Sequence, residues 1–198
     1  MEVRFFNSQH NVTKMSPSEH QVLPEGVQRV KAALQAAGHA HIPVMLDGAA
    51  RTAQEAADSL GVQLGQIAKS VIFRRKEDGV AVLVVASGDR RVDEKKVAAC
   101  VGKLGRADAD FVKAQTGFSI GGVSPVAHLH PPVTLIDQDL WRFDEIWAAA
   151  GHPHGVFRLS PQDLPGLTGA TPYDVVQDSV DHKVQRATVA APLAQEVP

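Results

Sequence analysis

One cysteine in 198 residues, Cys100, excludes an internal disulfide. No apolar run approaches the ~20 residues needed to span a bilayer. The opening residues, Met1-Glu-Val-Arg-Phe-Phe-Asn7, lack the basic-then-apolar order of a secretory signal. These absences predict a cytoplasmic chain with no membrane partner. Cys100 stands within Val97-Ala-Ala-Cys-Val101, which reads as buried filler rather than as a nucleophile. The chain also lacks Gly-x-x-x-x-Gly-Lys-[Ser/Thr], Gly-x-Gly-x-x-Gly at a strand–helix junction, and Gly-x-Ser-x-Gly. That removes the phosphate loop, the dinucleotide fingerprint and the nucleophile elbow.

What is present is a dense cluster of glycine. Thr116-Gly-Phe-Ser-Ile-Gly-Gly-Val-Ser-Pro125 holds three glycines and a proline in ten residues, too many for a helix or a strand interior. Apolar Phe118, Ile120 and Val123 between them argue for an ordered loop. Gly121-Gly122 permit close approach by a ligand, with N–H groups that can face a carbonyl or phosphate oxygen. The glycines alone fit a structural bulge equally well. Ser119 and Ser124 read as turn hydrogen bonders.

The net charge of −2 hides an asymmetry. Residues 69–113 carry eleven Lys/Arg against seven Asp/Glu, and the remainder nine against fifteen. Arg74-Arg75-Lys76, Arg90-Arg91 and Lys95-Lys96 form the clusters, a pattern suited to a polyanion footprint. Histidines recur as His39-x-His41, His128-x-His130 and His152-x-His154. On extended chain, i and i+2 share a face and could present two metal ligands. No further cysteine or His-x-x-x-His completes a site, so no metal is expected. His152 or His154 lining a pocket is the better reading.

Hydrophobic spacing predicts a helix over 24–37, stopped by Gly38, then an extended piece Ile42–Leu46. Thr52-Ala-Gln-Glu55 is a capping box opening a helix that Gly61 closes. Ile67–Arg74 reads as a strand with faces Lys69/Val71/Phe73 and Ser70/Ile72/Arg74. A turn at Glu77-Asp-Gly79 leads into Val80–Ala86, apolar on both faces and therefore central. Asp93, and Asp108 or Asp110, open two further helices. Val133–Ile136, Glu145–Ala148 and Val156–Leu159 are strands, and Ser160-Pro-Gln-Asp163 starts a helix with Ser160 as its cap. The tight strand–turn–strand at 70–86 favours a mixed sheet. Lys69 stands out, because a lysine on an apolar strand face needs a partner, a rim or a function.

Taken in order, Thr52–Gly61, Ile67-Ala-Lys-Ser-Val-Ile-Phe73, Arg91–Val97, Thr116–Pro125 and Trp147-Ala-Ala-Ala-Gly-His-Pro-His-Gly-Val-Phe-Arg-Leu159 resemble the YbaK / prolyl-tRNA-synthetase-associated domain family. These are the ProX-like trans-editing aminoacyl-tRNA deacylases. The resemblance spans about residues 24–178. It implies a single α/β domain, 23–178, with a curved mixed sheet flanked by helices. Residues 1–22 would be an N-terminal extension and 179–198 a flexible tail. It also implies hydrolysis of the ester joining a wrong amino acid to the terminal adenosine of tRNA.

By analogy, Lys69, Gly121 and Gly122 are the catalytic positions, and Val123, Ser124, Pro125, Thr52 and His154 contact substrate. Neither metal nor cofactor is implied. Aminoacyl-tRNA is the implied partner, with a synthetase or elongation factor as a docking partner and no DNA. Cysteine-editing members carry Ser-Gly-Gly where this chain has Ala149-Ala-Gly151, and one residue fewer around His152-Pro-His-Gly155. Ala, Ser or Thr is therefore the expected cargo rather than Cys, rejected or admitted by size. The alternative, read from the basic region, is a non-catalytic tRNA- or synthetase-binding module.

Overall fold

The computed structural model describes residues 23–48, 50 and 52–178. The extension at 1–22 and the tail at 179–198 lie outside the described residues. The elements are α1 (Glu25–Ala36), β1 (Val44–Met45), α2 (Ala53–Leu60), β2 (Ile67–Arg75), β3 (Ala81–Ser87), α3 (Glu94–Val101) and β4 (Leu104–Arg106). They continue with α4 (Ala109–Thr116), β5 (Val133–Asp137), β6 (Ile146–Ala149), β7 (Gly155–Leu159), α5 (Asp163–Thr168) and β8 (Pro172–Tyr173). Eight strands form one mixed sheet in the order β1-β7-β6-β2-β3-β5-β8, with β4 also on β2.

Strand β3 is the centre, as its two-faced apolarity requires. Leu83 and Val85 enter a core with Val30 and Leu34 of α1, Phe118 and Leu164. Val82, Val84 and Ala86 point the other way, onto Val97 of α3 and Val175. All seven β3 residues are buried. Each fully buried Val or Leu contributes about 1.5–3 kcal/mol, so this strand anchors both layers. The same alternation places Ile72 of β2 in the first core and Val71 and Phe73 in the second.

The pairing of β2 is incomplete. It runs antiparallel to β3 over its whole length, from Ala68↔Ser87 to Arg74↔Ala81. On its other edge it pairs with β6 only at Ile67↔Trp147 and Ala68↔Ala148, and with β4 only at Phe73–Arg75. Among the described residues, Lys69 to Ile72 have no ladder partner on that edge. The sheet therefore has a gap three strands from its β1 end.

Local rules explain the elements beside the gap. Thr52 Oγ1 accepts from Glu55 N–H and the Glu55 carboxylate accepts from Thr52 N–H, the full capping box. Gly61 closes α2 at φ +67°. Ala56 and Ala57 then pack on Ile67, next to Trp147, so α2 roofs the start of β2. At the other helix, the Asp163 carboxylate accepts from Ser160 N–H. The Ser160 hydroxyl turns to the Gln162 side chain instead of capping, and the helix proper begins at Asp163.

One expectation fails in this frame. Cys100 is exposed, not buried. On α3 it is Val97 and Val101 that pack on the core, and position 100 lies about 80° around the helix from the centre of that face, on the solvent flank. The basic clusters are in part paired within the molecule: Arg75 with Asp78, Arg90 with Asp139, and Lys96 with Asp174 and Asp178, three of the seven cluster residues.

Candidate active site

The gap in the sheet is a cavity of about 190 Å³. Its floor is β2 from Ile67 to Ser70 and its roof is Thr52, Ala53 and Ala56 of the α2 turn. The remaining walls are Trp147–Ala149 of β6, Pro153, Val156, Gly121 and Val123. Of the residues expected from the sequence, Thr52, Lys69, Gly121 and Val123 meet here. Gly122, Ser124, Pro125 and His154 do not line it.

Those four residues build the wall from behind. The Gly122 N–H donates to Ser119 O at 3.0 Å, so it is not free for an oxyanion. A Cβ on Gly122 would sit 2.6 Å from the His152 carbonyl carbon and 2.8 Å from Pro153 N, which makes this glycine a contact between two backbones. Ser124 is fully buried, its hydroxyl accepting from Val126 N–H and its carbonyl accepting from His128 Nε2–H at 2.7 Å. Pro125 is buried behind it. The His154 N–H donates to His152 Nδ1, and its carbonyl accepts from Leu46 N–H. His39 Nδ1 likewise accepts from His41 N–H. In both pairs the i, i+2 spacing makes a side-chain turn, not two splayed ligands. Among the described residues, no group of three or more His, Cys, Asp or Glu side chains is placed to hold a metal.

Gly121 keeps its expected place. Its φ of +89° is a conformation that side-chain-bearing residues rarely adopt. Among the described residues its N–H makes no hydrogen bond. Arg29 clamps the loop that presents it: Nε donates to Ala127 O at 2.9 Å, Nη2 to Thr116 O at 3.2 Å, and the guanidinium lies 4.4 Å over the Phe118 ring.

The Lys69 ammonium donates to the carbonyls of Gly88 and Arg90. Of its three N–H donors, two are thereby used and one remains. Burial pulls its pKa below the usual lysine range, and the carboxylates of Asp89 and Asp137 pull the other way. Behind the two carbonyls lies a charged network. Arg90 Nε donates to Asp139 at 2.6 Å, and buried Asp137 accepts from the N–H groups of Ser87 and Asp139. Burial raises the Asp137 pKa despite those bonds. Arg142 closes the network onto Asp89 and the Ser87 hydroxyl.

Sequence reading missed several of these residues. Ser70 lines the cavity, and its buried hydroxyl has no partner among the described residues. Strand alternation puts it on the face opposite Lys69, but at this open strand edge both residues line the same hollow. Ala149, Trp147 and Pro153 were seen only as parts of a motif. The Asp137 and Asp139 support left one signal, two acids at the end of an apolar strand, and nothing local said that Asp137 lies near Lys69 or that Asp139 pairs with Arg90.

A model of the aminoacyl-tRNA editing domain matches residues 47–167. YwhH of Bacillus subtilis, an uncharacterized protein, is 39% identical over 114 residues, 57% of this chain and 72% of that one. The protein named "Putative Cys-tRNA(Pro)/Cys-tRNA(Cys) deacylase EbsC" of Enterococcus faecalis is 28% identical over 119 residues, 59% of this chain and 72% of its own. A solved structure described as "a putative trans-editing enzyme for prolyl tRNA synthetase" superposes with TM-score 0.74 at 40% identity, covering 79% of this chain and 99% of that one. With the family model spanning well over half its length, the chain belongs to the aminoacyl-tRNA editing domain family.

Proposed function

We propose that the cavity hydrolyses the ester of a mischarged small amino acid on the 3′ end of tRNA. The observation that carries this is the meeting of Lys69, Gly121 and Thr52 around a small hollow at an unpaired strand edge. An aminoacyl ester is already activated, so placement and charge stabilisation suffice without a strong nucleophile. Water adds to the ester carbonyl carbon, and the bond from that carbon to the ribose oxygen breaks. The proton lost by water ends on the ribose hydroxyl, which leaves as the free tRNA 3′ end.

In this reading the unspent Gly121 N–H faces the developing oxyanion. The remaining N–H of Lys69 holds the ester oxygen or the terminal phosphate. The Ser70 hydroxyl is available to the substrate amine or to the attacking water. His154 takes no direct part, since the 152–154 turn supports the wall through Pro153.

The cargo is a small amino acid, and the departure from the cysteine-editing pattern at Ala149-Ala-Gly151 favours Ala, Ser or Thr over Cys, which size alone would admit. At about 190 Å³ the hollow is smaller than the roughly 300 Å³ at which drug-sized sites begin. Ala53, Ala56, Ala149 and Val156 line it with small apolar groups, a wall that selects by size. The binding-module alternative rests on the basic run, in which Arg75, Arg90 and Lys96 are paired internally, and it predicts tRNA binding without loss of label. A single-turnover deacylation panel across mischarged tRNAs tests the proposal. Loss of label from Ala-, Ser- or Thr-charged tRNA is expected. Retention of every label at saturating protein would refute it.

A further inference from the structure

A second cavity, about 370 Å³, lies against the reaction cavity. It is lined by Arg29 at one side, Lys113 and Ser119 at another, and His152 and Pro153 at the shared wall. Pro153 lines both hollows, while Ser119 belongs to one and Gly121 to the other. Between them Ile120 stands on the ridge, 62% exposed, and Leu129 at the far rim is 55% exposed. At the shared wall the Gly122 backbone packs directly on that of His152 and Pro153.

The cations of this hollow differ from the ion-paired ones elsewhere. Arg75, Arg90, Lys96 and Arg142 each hold a carboxylate. Arg29 and Lys113 instead hold only backbone carbonyls, Lys113 through Gly117 O at 3.0 Å. No ion pair neutralises either among the described residues. Each keeps unused donors, since a guanidinium has five and an ammonium three. Glu25, exposed at the rim, is the one opposing carboxylate lining the cavity. Two unneutralised cations with free donors, flanked by exposed aliphatic side chains, match one phosphodiester with its sugar and base.

We infer that this cavity binds the nucleotide preceding the terminal adenosine of the tRNA. Its phosphate sits by Lys113 and Arg29, and the chain crosses the Ile120 ridge into the reaction cavity. The inference rests on the ester-hydrolysis reading and adds how the nucleic acid is held. It explains why the loop should carry an exposed isoleucine between two hollows, where a base can pack on it.

Lys113→Glu tests it, because this side chain is exposed and reverses charge without touching the reaction cavity. On Ala-tRNA the variant should lose about tenfold in kcat/KM, and its log–log salt slope should flatten by about 0.7–1. On 2′(3′)-O-alanyl-adenosine, which lacks the preceding nucleotide, its rate should equal wild type. Equal losses on both substrates, or on neither, would overturn the inference. Should wild type cleave neither substrate, the hydrolytic reading fails on its own. Filter binding of uncharged tRNA then decides this one: a weaker, flatter salt dependence in Lys113→Glu sustains it, and identical curves overturn it.

Discussion

Replacing Lys69 by methionine separates its role in the reaction from its role in the fold. Methionine keeps an unbranched apolar stem and removes the ammonium. Two charge-assisted bonds to the carbonyls of Gly88 and Arg90 are lost, each worth about 1.5–3 kcal/mol. Against that, the half-buried charge no longer has to be desolvated, a cost of the same order. Stability should therefore change by no more than about 1–2 kcal/mol, read by urea or thermal unfolding. Losing a stabilising contact to the transition state typically costs 10²–10³ in rate, about 2.7–4 kcal/mol. Single-turnover deacylation with enzyme in excess should show that loss.

The wild-type pH profile adds a second readout. The active form is the ammonium, so activity is full below the folded-state pKa and declines as pH rises through it. Because burial lowers that pKa, the decline should begin below the ordinary value of 10.5, after subtraction of uncatalysed ester hydrolysis. Lys69→Arg, which stays charged throughout, should remove the alkaline decline. A methionine variant that cleaves at the wild-type rate would take Lys69 out of the chemistry.

Gly122→Ala should destabilise by about 1–3 kcal/mol, since its Cβ would lie 2.6 Å from backbone that cannot swing aside; a thermal melt equal to wild type would refute the backbone contact. Asp139→Asn keeps the shape of the acid and removes its charge from Arg90, whose carbonyl holds Lys69. A loss of about 1.5–3 kcal/mol in stability is expected, together with a shifted alkaline limb in the pH–rate profile, which a purely structural acid would leave in place. Arg29→Ala removes two charge-assisted bonds and a cation–π contact across the glycine loop. It should cost about 2–4 kcal/mol and slow deacylation, and Arg29→Lys should restore only part of either.

Local rules made much of this chain legible. The capping box at Thr52, the stop at Gly61, the two-faced apolarity of Val80–Ala86 and the alternation around Lys69 all depend on neighbours within a few residues. Each holds in the structure. The glycine loop and Lys69 were legible as oddities, residues whose chemistry did not suit their surroundings. Their functions within the site were not. Gly121 and Gly122 look alike in sequence, yet one has a left-handed φ at the cavity and the other makes a close backbone contact with Pro153. The basic clusters were only partly legible because charge on a linear chain carries no information about partners 49 or 78 residues away, where Arg90 and Lys96 find theirs. Cys100 misled because a run of small apolar residues on a helix shows its core face only once the helix phase is known.

The unpaired edge of β2 ties these observations together. A strand buried on both sides and fully laddered offers a ligand nothing, since every donor and acceptor is spent. Here the ladder lapses from Lys69 to Ile72 because β6 leaves after Ala148 and β4 arrives only at Phe73. Backbone polar groups at such a gap require a partner from solvent, loop or substrate. The glycine loop fills part of the gap, pinned by Arg29 from one side and by the His152–Pro153 turn from the other. What remains open is bounded by an ammonium, a glycine with an unspent N–H and an orphan hydroxyl. Stability and reactivity thus compete for the same few residues. A substitution that completes the ladder across the gap should stabilise the domain and abolish whatever the cavity does.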